Sequence, residues 1–257
     1  MKLLVFGNSH AACLMEAYRE GGVAVGHEVA FFVRSGSGVT DYALNGTRIA
    51  ASTEAMASFL GRLGLAQEQD LAAFDALVVV ASEVSLFPLV QVLNAYRVLD
   101  WGYEAREGRP ALTEAVLRMA LSDALMRTSA ARLMADLRAV PGLADRPIHL
   151  LPQPYPSERL MKMARIPAGA GVRRLVRDGF GAQAAAVYSE ELARFAGRFG
   201  AVLHLQPGDT IAQDCLTAVA YSTQARRLFD LNRYQPQEDI LHANLAYGRL
   251  LLAQVLG

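Results

Sequence analysis

Two short blocks near opposite ends of the 257-residue chain hold the side chains best suited to chemistry. Gly7-Asn8-Ser9-His10 follows an apolar run, Leu3 to Phe6, and precedes a helical pattern. A serine just after a buried strand and at the mouth of a helix is placed for nucleophilic attack. Its backbone N–H belongs to the unpaired first turn, where it can donate to a developing oxyanion. The same serine serves equally as an N-cap, a position serine favours. Toward the other end, Asp239-Ile240-Leu241-His242 sets a carboxylate three residues ahead of an imidazole. That spacing lets the carboxylate bond one ring nitrogen and leaves the other to take a proton from a hydroxyl. A plainer reading stands beside it, with Asp239 capping the last helix and His242 a surface residue of its first turn.

The elements that must carry these blocks follow from hydrophobic periodicity. Leu3–Phe6, Glu28–Val33, Ala76–Val80, Pro147–Leu151 and Ala201–Leu205 read as five strands, the first apolar enough to be buried on both faces and the third the strongest strand signal in the chain. Helical spacing covers about His10–Arg19, Thr53–Leu63, Ser157–Ala164, Ala182–Phe199 and Ala243–Val255, together with Pro88–Val140, broken around Trp101 to Pro110. Pro167–Gly171 reads as a loop, and the polar stretch up to Glu238 has little periodicity. Strands alternating with helices argue for a parallel sheet covered on both faces, with ligands at the carboxyl ends of its strands. No linker or repeat interrupts the pattern, so residues 1–257 read as one domain.

The conjunction of the two blocks resembles the SGNH/GDSL hydrolases. In that family the nucleophile lies in a G-D-S or G-N-S block after the first strand, and an Asp-x-x-His pair precedes the last helix. Gly7-Asn8-Ser9 and Asp239-x-x-His242 match those blocks, and the resemblance spans essentially the whole chain. It implies an α/β fold: a three-layer α/β/α sandwich of flavodoxin-like type with a central, mainly parallel five-stranded sheet. It also implies Ser9 as nucleophile, His242 as general base and Asp239 as the group orienting it. A further family block is a glycine after the second strand whose N–H joins the oxyanion hole; Gly38, in Gly38-Val39-Thr40, takes that place. By composition alone, Ser35-Gly36-Ser37-Gly38 is a flexible turn. The block after the third strand departs from the family. Ala81-Ser82-Glu83 has no asparagine, and Ser82 falls where that third oxyanion donor would be. A hydroxyl can donate one hydrogen bond there, with less reach than an amide.

Bulk properties limit the function classes. The chain is 53% hydrophobic and 19% charged with zero formal net charge, so no basic footprint for nucleic acid exists at the level of the chain. The run Arg173-Arg174-Leu175-Val176-Arg177 reads as a solvated helix face. No uncharged apolar run is long enough to span a membrane, and the apolar start is too short for a signal-peptide core. Cys13 and Cys215, far apart and outside any C-x-x-C, fit a reducing, cytoplasmic setting. No His/Cys/Asp cluster has ligand spacing, so neither a metal nor a cofactor is expected. His149 and His204 read as structural and His27 precedes a strand, while His10 is either a substrate contact or a solvated helix start. The expected activity is hydrolysis of a short acyl ester of a small molecule or carbohydrate through an acyl-enzyme. One alternative is acyl transfer to a sugar, as in surface-polysaccharide assembly, with Tyr221, Arg226, Arg227, Arg233 and Tyr234 supplying polar and aromatic groups to an acceptor or donor pocket, although these residues read more simply as a well-solvated loop. Another is a catalytically silent binding protein of the same fold.

Overall fold

The computed structural model describes residues 1–102, 108–163 and 169–257. Five apolar segments form one sheet: β1 (Lys2–Gly7), β2 (Glu28–Val33), β3 (Ala76–Val80), β4 (Ile148–Leu151) and β5 (Val202–Leu203). Their spatial order is β2-β1-β3-β4-β5, and every pairing is parallel. This is the order of doubly wound flavodoxin-like sheets. The expected sheet is therefore present and is parallel throughout.

Successive strand side chains face opposite sides, so each buried strand feeds two cores. Leu3, Val5, Val29, Phe31 and Val78 pack with α1 (Ala12–Glu20) and α8 (Leu245–Leu256) through Leu14, Met15, Tyr247 and Leu251. Leu4, Phe6, Phe32, Leu77 and Val79 belong to the opposite core. Its helical contributors include α2 (Glu54–Arg62), α3 (Phe87–Ala95), α4 (Glu114–Met126), α5 (Ser129–Ala139), α6 (Ala170–Arg177) and α7 (Gly181–Arg198). The result is a three-layer α/β/α sandwich.

Several local expectations change. The leucine stripe from Leu117 to Leu137 divides between α4 and α5, because Thr128 accepts a hydrogen bond from Ala131 N–H and starts a new helix. The helix expected over Ser157–Ala164 is a 3-10 stretch, Glu158–Lys162, with Ala164 outside the described residues. The break placed at Trp101–Pro110 and the loop placed at Pro167–Gly171 also lie partly outside them. The described end of that loop already belongs to α6, which carries the basic run with Arg174 and Arg177 exposed. Tyr42–Asn45, Arg48–Ala51 and Glu68–Asp70 add a three-stranded antiparallel sheet that the periodicity did not reveal. The stretch before Glu238 holds two small antiparallel ladders, Ile211–Ala212 with Leu216–Thr217 and Arg226–Arg227 with Asp230–Tyr234. No helix among the described residues is long and apolar enough to cross a membrane.

For the site, what matters is where three neighbouring strands end. Gly7 at the end of β1 pairs with Val33 of β2 and Val80 of β3. Ser9, the loop from Arg34 to Gly38 and the turn Ala81–Glu83 thus leave the same edge of the sheet.

Candidate active site

A tight turn places Ser9. A Cβ on Gly7 would stand 2.9 Å from both the carbonyl oxygen and the Cβ of Val80, so the chain can bend this close to β3 only with glycine there. The first helical turn, Ser9–Ala11, is 3-10, and its cap is Asn8, whose side chain accepts from His10 N–H at 3.1 Å. The cap role considered for Ser9 therefore falls to its neighbour, and the Ser9 hydroxyl is left for another partner. That partner is His242: Nε2 lies 2.8 Å from Ser9 Oγ across 233 residues of sequence.

His242 is held by Asp239 and by the position of α8. Asp239 Oδ1 lies 2.9 Å from His242 Nδ1, while Oδ2 accepts from the His242 backbone N–H at 3.1 Å. Oδ1 also accepts from Leu241 N–H at 3.4 Å. Burial works against the Asp239 charge. The bond from the His242 ring, its charge and the two backbone N–H groups outweigh burial and hold the carboxyl below its ordinary value. Asp239 does not cap the last helix. Asn244 does, accepting from Tyr247 N–H, so His242 lies before the helix rather than in its first turn. Helix α8 reaches Ser9 because Gly248 lies directly on α1. A Cβ there would stand 2.5 Å from the Cys13 carbonyl carbon and closer still to its oxygen.

Gly38 and Ser82 meet on the other side of Ser9's strand. Gly38 is buried at φ +113°, and a Cβ on it would stand 2.7 Å from Ser82 Oγ. Ala81, Ser82 and Glu83 all have positive φ, at 51°, 46° and 73°. This left-handed turn is costly for non-glycine residues. It is pinned from outside: Ala130 N–H donates to Ser82 O, Ser129 N–H to the Glu83 carboxylate, and the one proton of Ser129 Oγ is shared between the Ser37 and Ser82 carbonyls, at 2.5 and 3.1 Å. The start of α5 thereby ties the glycine loop to the turn. The Ser82 hydroxyl is buried and donates to Val80 O at 3.1 Å. Its single proton is engaged, so acting as the third oxyanion donor would require it to turn away from that carbonyl. Among the described residues, the backbone N–H groups of Ser9 and Gly38 have no acceptor.

His10 is the neighbour that sequence reasoning placed least well. It is 7% exposed rather than solvated, and its ring stacks on that of His242 with centroids 4.7 Å apart and planes 18° apart. Its Nδ1 is buried without a hydrogen-bond partner. Burial first, then the His242 charge, push its pKa down to about 3, so it is a neutral wall against the His242 ring. Burial also pushes the Cys13 and Cys215 thiols up to about 12, which leaves both poorly suited as nucleophiles. His149 and His204 pair with each other, Nδ1 to Nε2 at 2.8 Å. Arg226 stacks 3.7 Å over Tyr234 and pairs with Glu16, and Arg233 pairs with Asp230. Of the five residues considered for an acceptor site, Tyr234 lines a cavity of about 360 Å³ that Asp239 also borders. Among the described residues no three His, Cys, Asp or Glu side chains converge as a metal site requires. Compared with models of known families, with curated proteins and with solved structures, the chain gives no match.

Proposed function

We propose that this chain is a serine hydrolase of the SGNH type that cleaves a short acyl ester of a small molecule or carbohydrate through an acyl-enzyme. The observation that supports this most is the continuous link from Asp239 Oδ1 to His242 Nδ1 (2.9 Å) and from His242 Nε2 to Ser9 Oγ (2.8 Å). With Asp239 accepting from Nδ1–H, Nε2 keeps the lone pair that a general base needs. Ser9 Oγ bonds to the ester carbonyl carbon as its proton passes to Nε2. The carbonyl oxygen becomes an oxyanion facing the Ser9 and Gly38 N–H groups. Collapse expels the alcohol, which takes the proton from His242. Water then attacks the acyl-enzyme, giving a proton to Nε2, and Ser9 departs with that proton restored.

Transfer of the same acyl group to a sugar hydroxyl differs only in what attacks the acyl-enzyme. Arg226 and Arg233 being paired within the fold gives that reading no particular support. The test is turnover of a panel of acetyl esters, with and without sugar acceptors, by the wild type and by His242→Ala and Asp239→Asn. The expected result is acetate release that falls by several orders of magnitude in both variants, Asp239→Asn because the wrong tautomer faces Ser9. Equal turnover in wild type and His242→Ala would remove the reading.

A further inference from the structure

At the carboxyl end of β2, a cavity of about 440 Å³ has Arg34, Ser35, Gly36, Ser58, Phe59 and Arg62 among its lining residues. It begins where the sheet ends: Arg34 N–H donates to the carbonyl of Gly7, two residues before Ser9, and the loop that forms its rim continues to Gly38. Both guanidinium groups pack over one ring, Arg34 at 5.6 Å and Arg62 at 5.9 Å from the Phe59 centroid. Phe59 is buried, so it is a fixed platform for two like charges that line the same cavity. Such a pairing is unfavourable unless anionic charge offsets it. The nearest compensation is Asp41, whose carboxylate lies 3.8 Å from Arg34 and does not line the cavity. Arg62 has no acidic partner among the described residues. Every polar side chain that lines the space can donate, through two guanidinium groups and the hydroxyls of Ser35 and Ser58. Gly36, at φ +92° with open space where a Cβ would be, leaves its backbone accessible from the cavity.

We propose that this cavity binds a phosphate monoester carried by the ester substrate, so that the enzyme acts on phosphorylated acyl esters. The proposal rests on the hydrolase reading for its role, and on the cavity alone for its chemistry. Forked guanidinium groups suit a tetrahedral oxyanion, whose several oxygens can accept from both arginines and from the serine hydroxyls at once. Arg34 N–H donates to the Gly7 carbonyl, two residues before Ser9, so the cavity and the serine lie at the same end of two neighbouring strands, as a substrate with a phosphate at one end and an acyl ester at the other requires.

Two measurements on the full chain test it. The first is the ratio of kcat/KM for O-acetylated glucose 6-phosphate to that for O-acetylglucose. Wild type should prefer the phosphorylated ester at least ten-fold. Arg34→Gln and Arg62→Gln should each bring the ratio toward one, while Arg198→Gln, an exposed arginine on α7, which packs against β5 at the opposite edge of the sheet, should keep it. The second is titration with inorganic phosphate, followed through arginine Nε–H resonances. Saturable shifts confined to Arg34 and Arg62 support the site. Uniform or non-saturating shifts, or a wild-type ratio near one, overturn it even if Ser9 proves reactive. Saturable phosphate binding by a chain that hydrolyses neither ester would keep the anion site and remove the hydrolase reading.

Discussion

Gly248→Ala tests how the histidine is brought to the serine. The new Cβ would stand 2.5 Å from the Cys13 carbonyl carbon and closer to its oxygen, whereas ordinary contacts begin at about 3.4 Å, so α8 must withdraw from α1 by at least about 0.9 Å. The obstacle is backbone, so no rotamer change relieves it. His242 lies three residues ahead of the helix, and a shift of that size lengthens its 2.8 Å link to Ser9 beyond about 3.6 Å, where a hydrogen bond is no longer made. Misplacement by about 1 Å costs on the order of 100-fold in rate, and overpacking of this kind costs about 1–3 kcal/mol in stability. The assay is the second-order rate of inactivation by a fluorophosphonate, alongside denaturant unfolding. Gly197→Ala is the control: a methyl on this helical glycine would meet nothing within 4 Å, so the variant should gain up to about 1 kcal/mol and label normally. If Gly248→Ala also gained stability and labelled at the wild-type rate, close packing of α1 and α8 would not set the register of the site.

Further expectations concern the groups around Ser9 and His242. Ser82→Ala should cost about 1 kcal/mol through the lost bond to Val80 O, with only a few-fold change in labelling rate. A hundred-fold drop would instead assign the Ser82 hydroxyl to the oxyanion. His10, depressed to about 3 by burial, binds one proton fewer in the folded chain than in the unfolded one between pH 3 and about 6.5. Its contribution is therefore complete above that range and is lost as the pH falls, at about 1.4 kcal/mol per pH unit. His10→Phe, which keeps an aromatic face against His242, should flatten the pH dependence of unfolding free energy between pH 4 and 6 by about one proton. An unchanged slope would mean that His10 is charged in the fold.

The sheet was legible because its strands are buried on both faces: Leu3–Phe6 and Ala76–Val80 have no polar residue to blur the pattern. The antiparallel strands Tyr42–Asn45 and Arg48–Ala51 were not, since each is four residues long and half exposed. Gly46-Thr47, the two-residue bend between the paired Asn45 and Arg48, was the available signal. In the site, the spacing Asp239-x-x-His242 held a real constraint, because one carboxylate meets both the ring and the backbone of the same histidine. What the sequence concealed depends on long-range packing. No local pattern places His10 against His242, Gly248 against Cys13, or Arg34 and Arg62 over one phenylalanine. Ser82 could be located by position after the third strand, but the direction of its hydroxyl follows from a left-handed turn that only the fold discloses.

The central claim is that Ser9 is a nucleophile activated by His242. Its most direct test is incubation of the folded chain with a fluorophosphonate, followed by mass-spectrometric mapping of the adduct. The account predicts one phosphonyl group on Ser9, with labelling abolished in Ser9→Ala and reduced by orders of magnitude in His242→Ala. An intact fold that takes up no label at high probe concentration, or label on another residue that persists in Ser9→Ala, would contradict it.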